Sequence, residues 1–221
     1  MNPKASSLWC HSKNANFKLV GGFNNMSYPG MDQSLMNFVE EMSPKKGDMP
    51  YEGKPQEFRK KMAKKAAKLI MKRPNNLYVK DFSLETPFGK VNCRKYVPHK
   101  VKKPSPALIY MHGGGWIIGD LNSHDAVCVD LALHANIVVI SLEYALAPEN
   151  KFPTALNQCT WVFSEIKKKS KGLELDPDYL SIGGDSAGGN LALATSLSLR
   201  NRNESVPFLQ FLIYPCISTN F

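Results

Sequence analysis

Long hydrophobic runs are missing from this 221-residue chain: no stretch approaches the ~20 apolar residues that a membrane-spanning helix requires. The opening residues, MNPKASSLWCHSKNANFK, hold no compact apolar core followed by small residues, which argues against a secretory leader. Cysteine is sparse. Its five copies (Cys10, Cys93, Cys128, Cys159 and Cys216) are odd in number, scattered, and never spaced as C-x-x-C. That speaks against a zinc site or a disulfide framework and for reduced thiols in a cytoplasmic setting. Internal repeats and low-complexity tracts are also absent. No glycine-rich loop ends in G-K-[ST], and none reads G-x-G-x-x-G with an acid downstream. With no cluster of ligating side chains in the sequence, neither a metal nor an organic cofactor is expected.

What is present begins with charge. The formal net charge is +9, on a background of 43% hydrophobic and 21% charged residues that is ordinary for a globular protein. Much of the excess sits in EFRKKMAKKAAKLIMKR (57–73) and KKKSK (167–171). In the first, Phe58, Met62, Ala66, Leu69 and Ile70 recur at helical spacing and lysines fill the other face. This pattern reads as a surface helix with a solvated face. No nucleic-acid partner is expected, and contact of helix 57–73 with an anionic membrane surface is the sharper alternative. The second run closes a predicted helix, where cations suit the helix dipole.

Residues 1–75 differ from the rest. They hold turn-rich pieces around two predicted helices, near 31–42 and 55–72, and no convincing strand. From Leu77 onward, LYVKDFSLE and KVNCRKYV, joined across TPFG, predict an antiparallel hairpin. ALIYMH (107–112), NIVVISLEY (136–144), YLSIGG (179–184) and FLQFLIYP (208–215) are short, continuously apolar runs suited to strands covered on both faces. Between them lie helical stretches. SHDAVCVDLALHA starts at a Ser123 cap and carries Val127, Leu131 and Ala135 on one stripe; FPTALNQCTWVFSEIKKK and AGGNLALATSLSLRN follow. Alternation of this kind predicts an α/β fold with a mostly parallel sheet flanked by helices.

Two glycine motifs sit at strand ends. In GDSAG, Ser186 lies where YLSIGG meets AGGNLALA, with Gly184 and Gly188 giving the turn room. A tight strand-to-helix turn lifts such a hydroxyl above the sheet, and the helix aims its first amides at the same point. HGGGW (112–116) follows ALIYM directly. Consecutive glycines after a strand let backbone amides approach a substrate, as stabilisation of an oxyanion requires. A plain flexible loop is the bland reading of either motif alone; the two together, in this order, are far more specific.

HGGGW, EYALAPENKFPTAL and GDSAGGNLA together resemble the hormone-sensitive-lipase-type carboxylesterases of the α/β-hydrolase superfamily, which include arylacetamide-deacetylase-like enzymes. The resemblance covers residues 55 to 221. It implies an incomplete α/β-hydrolase fold, with residues 1–75 as an N-terminal helical cap segment and 76–221 as a partial core lacking the last strands. It assigns Ser186 as the nucleophile and the amides of Gly114, Gly115 and Ala187 as the oxyanion hole. His112, Gly113 and Asp185 support the motifs, His112 as a positioning residue and Asp185 as a brace of the turn. The implied substrate is a small uncharged carboxylic ester. Where the family reads D-Y-R-L-A-P-E, this chain has Glu143 and Ala145 in place of the acid and the arginine, which puts a structural ion pair in question.

The activating base is the gap. On this fold the order is Ser, then an acid, then His. The 35 residues after Ser186 contain one carboxylate, Glu204, and no histidine. The five histidines, at 11, 99, 112, 124 and 134, all precede the serine. The triad acid and histidine are therefore read as lacking in this chain. His124 is a remote substitute, and His134 reads as a partly buried structural histidine. The expectation is a C-terminally truncated esterase needing a further segment, or self-associating through its open edge. The alternative is a catalytically defective homologue that binds a small ligand, as plant gibberellin receptors do on the same fold.

Overall fold

The computed structural model describes residues 32–34, 36–37, 55–67 and 72–218. The chain divides into two compact units, Met1–Met49 and Pro50–Phe221. In the first, the described residues form part of a helix, with the Ser34 amide donating to Asp32 Oδ1 at 2.8 Å. Most of the helix expected near 31–42 lies outside the described residues.

The second unit opens with α1 (Pro55–Ala66). Phe58, Met62 and Ala66 are half-buried, whereas Lys60, Lys61 and Lys64 face solvent, as the helical spacing predicts. The antiparallel hairpin follows as β1 (Leu77–Thr86) and β2 (Gly89–Pro98), in register from Leu77 opposite Pro98 to Thr86 opposite Gly89. Then come β3 (Ser105–Met111), α2 (Asp125–Ala135), β4 (Val138–Glu143), α3 (Thr154–Lys168), β5 (Leu175–Asp185), α4 (Ala187–Asn201) and β6 (Gln210–Ile213). They build one six-stranded sheet in the order β1-β2-β4-β3-β5-β6. The hairpin joins antiparallel through β2 and β4, and β4, β3, β5 and β6 run parallel.

This order has a physical source. β3 and β4 are apolar at almost every position, so both faces must be covered. Alternate residues of β3 serve two cores: Leu108 and Tyr110 pack with Cys128, Val129 and Ala132 of α2, while Ile109 and Met111 pack with Val162, Phe163 and Ala192 of α3 and α4. From β3 the chain steps to one side through α2 to reach β4. It then returns across β3 through α3 to reach β5. Right-handed crossovers in opposite directions put their helices on opposite faces. Such a reversal, at the C-terminal ends of β3 and its neighbours, is the usual ligand position on open α/β sheets.

Helix α2 departs from the expected stripe. Its buried residues are Asp125, Cys128, Val129 and Ala132; Val127 and Ala135 are exposed, and so is His134, which the sequence reading had partly buried. The helix is apolar nearly all round, so periodicity did not fix its phase, and a buried acid did. Tyr96 Oη donates to Asp125 Oδ1 at 2.8 Å, Arg94 Nη1 reaches the same oxygen at 3.0 Å, and Arg73 grips both oxygens at 2.8 and 2.9 Å. Arg94 also forks onto Asp81 at 2.6 and 2.8 Å. Burial opposes charge on Asp125, yet these donors hold its carboxyl below the ordinary range. Ser123 is not the cap; the N-cap position is His124, and the Ser123 hydroxyl instead bonds within the preceding turn to the Asp120 carbonyl at 3.0 Å.

Removing one partner from a buried pair leaves the other charge stranded, at a cost of about 3–5 kcal/mol. Asp125→Ala should therefore lower the unfolding free energy by roughly that amount, read from the urea midpoint, by stranding Arg94 and the Tyr96 hydroxyl. Asp125→Asn, which keeps an acceptor, should cost clearly less. Equal losses in the two variants would show that the charge is irrelevant.

Candidate active site

Ser186 is the joint between β5 and α4, with φ 49° and ψ −116°. That backbone lies outside the wells that L-residues normally occupy, and holding it costs on the order of 1–3 kcal/mol. Neighbours impose it. The Ser186 amide donates to the Ile213 carbonyl at 2.9 Å, and the Ser186 carbonyl accepts from the amides of Asn190 and Cys216, each at 3.1 Å. The segment leaving β6 thus straps both ends of the serine peptide. Asn190 Nδ2 adds a bond to the Cys216 carbonyl at 2.7 Å.

The first turn of α4 presses on the end of β3. A Cβ at Gly188 would collide with the carbonyl oxygens of Met111 and His112, so only glycine permits this approach. Because β3 and β5 are paired with Met111 opposite Gly184, the loop that starts at His112 emerges beside the serine. That loop folds back sharply. Gly114 has φ +119°, and its carbonyl accepts from the amides of Ile117 and Ile118 at 3.1 and 3.0 Å. The Gly113 amide is already occupied, donating to Asp185 Oδ1 at 2.9 Å. Among the described residues, the Gly114 and Gly115 amides donate to no protein acceptor. Ala187 is the first residue of α4, so its amide has no acceptor within the helix. The structure therefore brings Gly113, Asp185 and the first turn of α4 together around Ser186, and leaves three amides near these strand ends without intrahelical or loop partners.

His112 is fully buried under this loop. Its ring stacks on Tyr144 at 4.3 Å, Nδ1 lies 2.8 Å from the Gly113 carbonyl, and the Tyr144 hydroxyl donates to the His112 carbonyl at 2.7 Å. With Nδ1 carrying the proton for that carbonyl, Nε2 is sealed without a partner among the described residues. His124 is also tethered at both nitrogens: Nε2 faces Asp185 Oδ2 at 3.4 Å and Nδ1 lies 3.0 Å from the Ser123 hydroxyl. Sequence reasoning weighed both imidazoles but did not foresee the shelf that holds them, made of Tyr110, Tyr144 and Asp185. A second missed element is Arg59 of α1. It binds Glu149 bidentately at 2.7 and 2.8 Å and also the carbonyls of Ile117 and Ala147, each at 2.6 Å, pinning two loops that flank the site.

Burial pushes the His112 imidazole down to about 4, with the Gly113 carbonyl pulling the other way. The sign follows directly. Below an ordinary value near 6.5 the unfolded ring takes up a proton that the folded ring refuses, so stability is full above that pH and falls as the pH drops toward 4. At about 1.4 kcal/mol per unit, roughly 2 kcal/mol should be lost between pH 6.5 and 4.5. Urea unfolding at the two pH values checks this, and His112→Gln should flatten the difference. A slope unchanged in that variant would assign the loss to other groups.

Among the described residues no helix is long and apolar enough to cross a membrane, and no group of three or more His, Cys, Asp or Glu is arranged to hold a metal ion. Residues 108–221 match the family described as alpha/beta hydrolase fold. The chain is 36% identical over 145 residues to the carboxylic ester hydrolase LipN of Mycobacterium tuberculosis, covering 62% of this chain and 38% of that protein. To the ethyl acetate hydrolase of Pseudomonas putida it is 40% identical over 110 residues, 49% of this chain and 35% of the relative. Among solved structures, an esterase of Pyrobaculum calidifontis superimposes with a TM-score of 0.75 at 32% identity, over 85% of this chain and 59% of the other. The chain thus spans under half the length of the two curated relatives. With a family match across more than half its residues and an architecture shared with solved structures of the same fold, this chain belongs to the alpha/beta hydrolase fold family.

Proposed function

We propose that this chain supplies the nucleophile and the oxyanion hole for hydrolysis of small uncharged carboxylic esters. The observation that carries this reading is the strained Ser186 backbone at the β5–α4 joint, beside a loop whose Gly114 and Gly115 amides are unengaged among the described residues. Ser186 Oγ attacks the ester carbonyl, and the former carbonyl oxygen, now negative, is received by the amides of Gly114, Gly115 and Ala187. Collapse expels the alcohol and leaves an acyl-serine, which water then hydrolyses. Relatives named for ethyl acetate and for acetyl esters favour a short acyl chain. In this reading residues 1–75 are the cap segment and 76–221 the hydrolase core.

Proton removal from Ser186 is the step that limits the chain by itself. His112 is sealed, and His124 has its two nitrogens engaged by the Ser123 hydroxyl and by Asp185. With no free base beside Ser186 among the described residues, only binding and oxyanion stabilisation remain to the chain by itself, on the order of 10³–10⁴ over water. The apolar edge of β6 belongs to the same picture. Phe208, Leu209 and Phe211 are exposed, and Tyr214 is 74% exposed just beyond the strand. Such an edge pairs with a further strand or with a second copy of the chain.

The test is hydrolysis of p-nitrophenyl acetate by residues 1–221, with size-exclusion chromatography alongside. Slow turnover abolished by Ser186→Ala, self-association, and acceleration on adding the C-terminal segment of a relative in trans are the expected results. A chelator should have no effect. Turnover that survives Ser186→Ala would refute the nucleophile, and a fully active monodisperse monomer would refute the need for an added base.

A further inference from the structure

A carboxylate one residue before the nucleophile looks out of place, because negative charge near a developing oxyanion opposes it. Asp185 is nevertheless almost completely buried there, at 8% exposure. Its oxygens explain why. Oδ1 accepts from the Tyr110 hydroxyl at 2.7 Å and from the Gly113 amide at 2.9 Å. Oδ2 faces His124 Nε2 at 3.4 Å. The fit is tight, since a Cβ on Gly113 would strike the Asp185 carboxylate. His124, the N-cap residue of α2, is oriented in turn by the Ser123 hydroxyl, which accepts from the Asp120 amide at 2.9 Å. One carboxylate therefore joins the end of β5, the first glycine of the HGGG loop, the β3 tyrosine and the start of α2.

We propose that Asp185, oriented by His124 and Tyr110, is a positioning residue that sets the Gly114 and Gly115 amides against Ser186. The inference rests on the esterase reading above and names what holds its oxyanion hole in place. The next two peptide planes are held on their carbonyl side, by His112 Nδ1 at Gly113 and by the Ile117 and Ile118 amides at Gly114, and the Gly113–Asp185 bond ties this folded loop to the residue before the nucleophile. A bond to an ionised acceptor is about twice as strong as one between neutral groups. The carboxyl stays ionised because, against the effect of burial, His124, Tyr110 and the Gly113 amide all donate to it and hold it below the ordinary range.

Two readouts on the 221-residue chain separate this proposal from the function it serves. The first is hydrogen exchange of the Gly113, Gly114 and Gly115 amides by ¹H–¹⁵N NMR. The second is kcat and KM for Ser186-dependent hydrolysis of p-nitrophenyl acetate. Asp185→Ala should speed Gly113 exchange by tenfold or more and lower kcat about 10²-fold, the size of a lost oxyanion donor, with KM little changed. Asp185→Asn keeps an acceptor for Gly113 and should rescue both readouts to within about tenfold. His124→Gln should give an intermediate loss, and it decides the matter if Asp185→Ala does not fold. A folded Asp185→Ala chain with normal Gly113 exchange and normal kcat would overturn the proposal. So would equal losses in the Ala and Asn variants. If the parent chain has no Ser186-dependent turnover, the esterase reading fails, and Gly113 exchange alone still decides whether Asp185 anchors the loop.

Discussion

The register between β3 and β5 carries the whole site. Met111 lies opposite Gly184 in a parallel ladder that continues back to Ala107 opposite Leu180. A slip of one residue would turn Tyr110 and Ile109 to each other's faces and exchange two different cores, which burial forbids. The same register puts the HGGG loop and the serine at adjoining strand ends. Gly188 then lets α4 close on the β3 carbonyls, and the strap from Ile213 to Cys216 locks the serine in its unfavourable backbone conformation. The strain at Ser186 is thus held by elements on both sides, β3 beneath and β6 beyond.

Two buried acids do different work at the start of α2 and beside it. Asp125 organises a structural network of Arg73, Arg94 and Tyr96 under the hairpin. His124, its immediate neighbour in sequence, turns the other way toward Asp185 and the nucleophile. Helix α2 therefore links the rigid hairpin side of the sheet to the site, and its phase is set by these polar contacts more than by its apolar residues. Buried carboxylates are tolerable in both places for one reason: each oxygen finds donors, and those donors keep the group ionised against the pull of burial.

At the other side of the sheet the pairing is shorter. β6 pairs with β5 through only four residues, and its outer side carries exposed aromatic and aliphatic groups. Yet this short strand supplies the Ile213 carbonyl and leads into the strap that fixes Ser186. Site geometry consequently depends on a short strand at the end of the sheet.

Local chemistry was legible from the sequence alone. The hairpin, the apolar parallel strands, the solvated lysine face of α1, and the two glycine motifs at strand ends follow from patterns a few residues long. Each depends on backbone freedom or on side-chain period, which neighbours in sequence determine. Long-range partners were not legible. Arg59 meets Glu149 across 90 residues, Tyr110 meets Asp185 across 75, and the buried face of α2 was set by arginines far away in the chain. A helix that is apolar nearly all round gives periodicity little to choose between, and a buried acid shows its partners only when the strands that carry them are paired. The sequence by itself determined which residues stand at the ends of β3 and β5. Only the tertiary structure decided what holds them there, because the holding groups come from elements far apart in the chain.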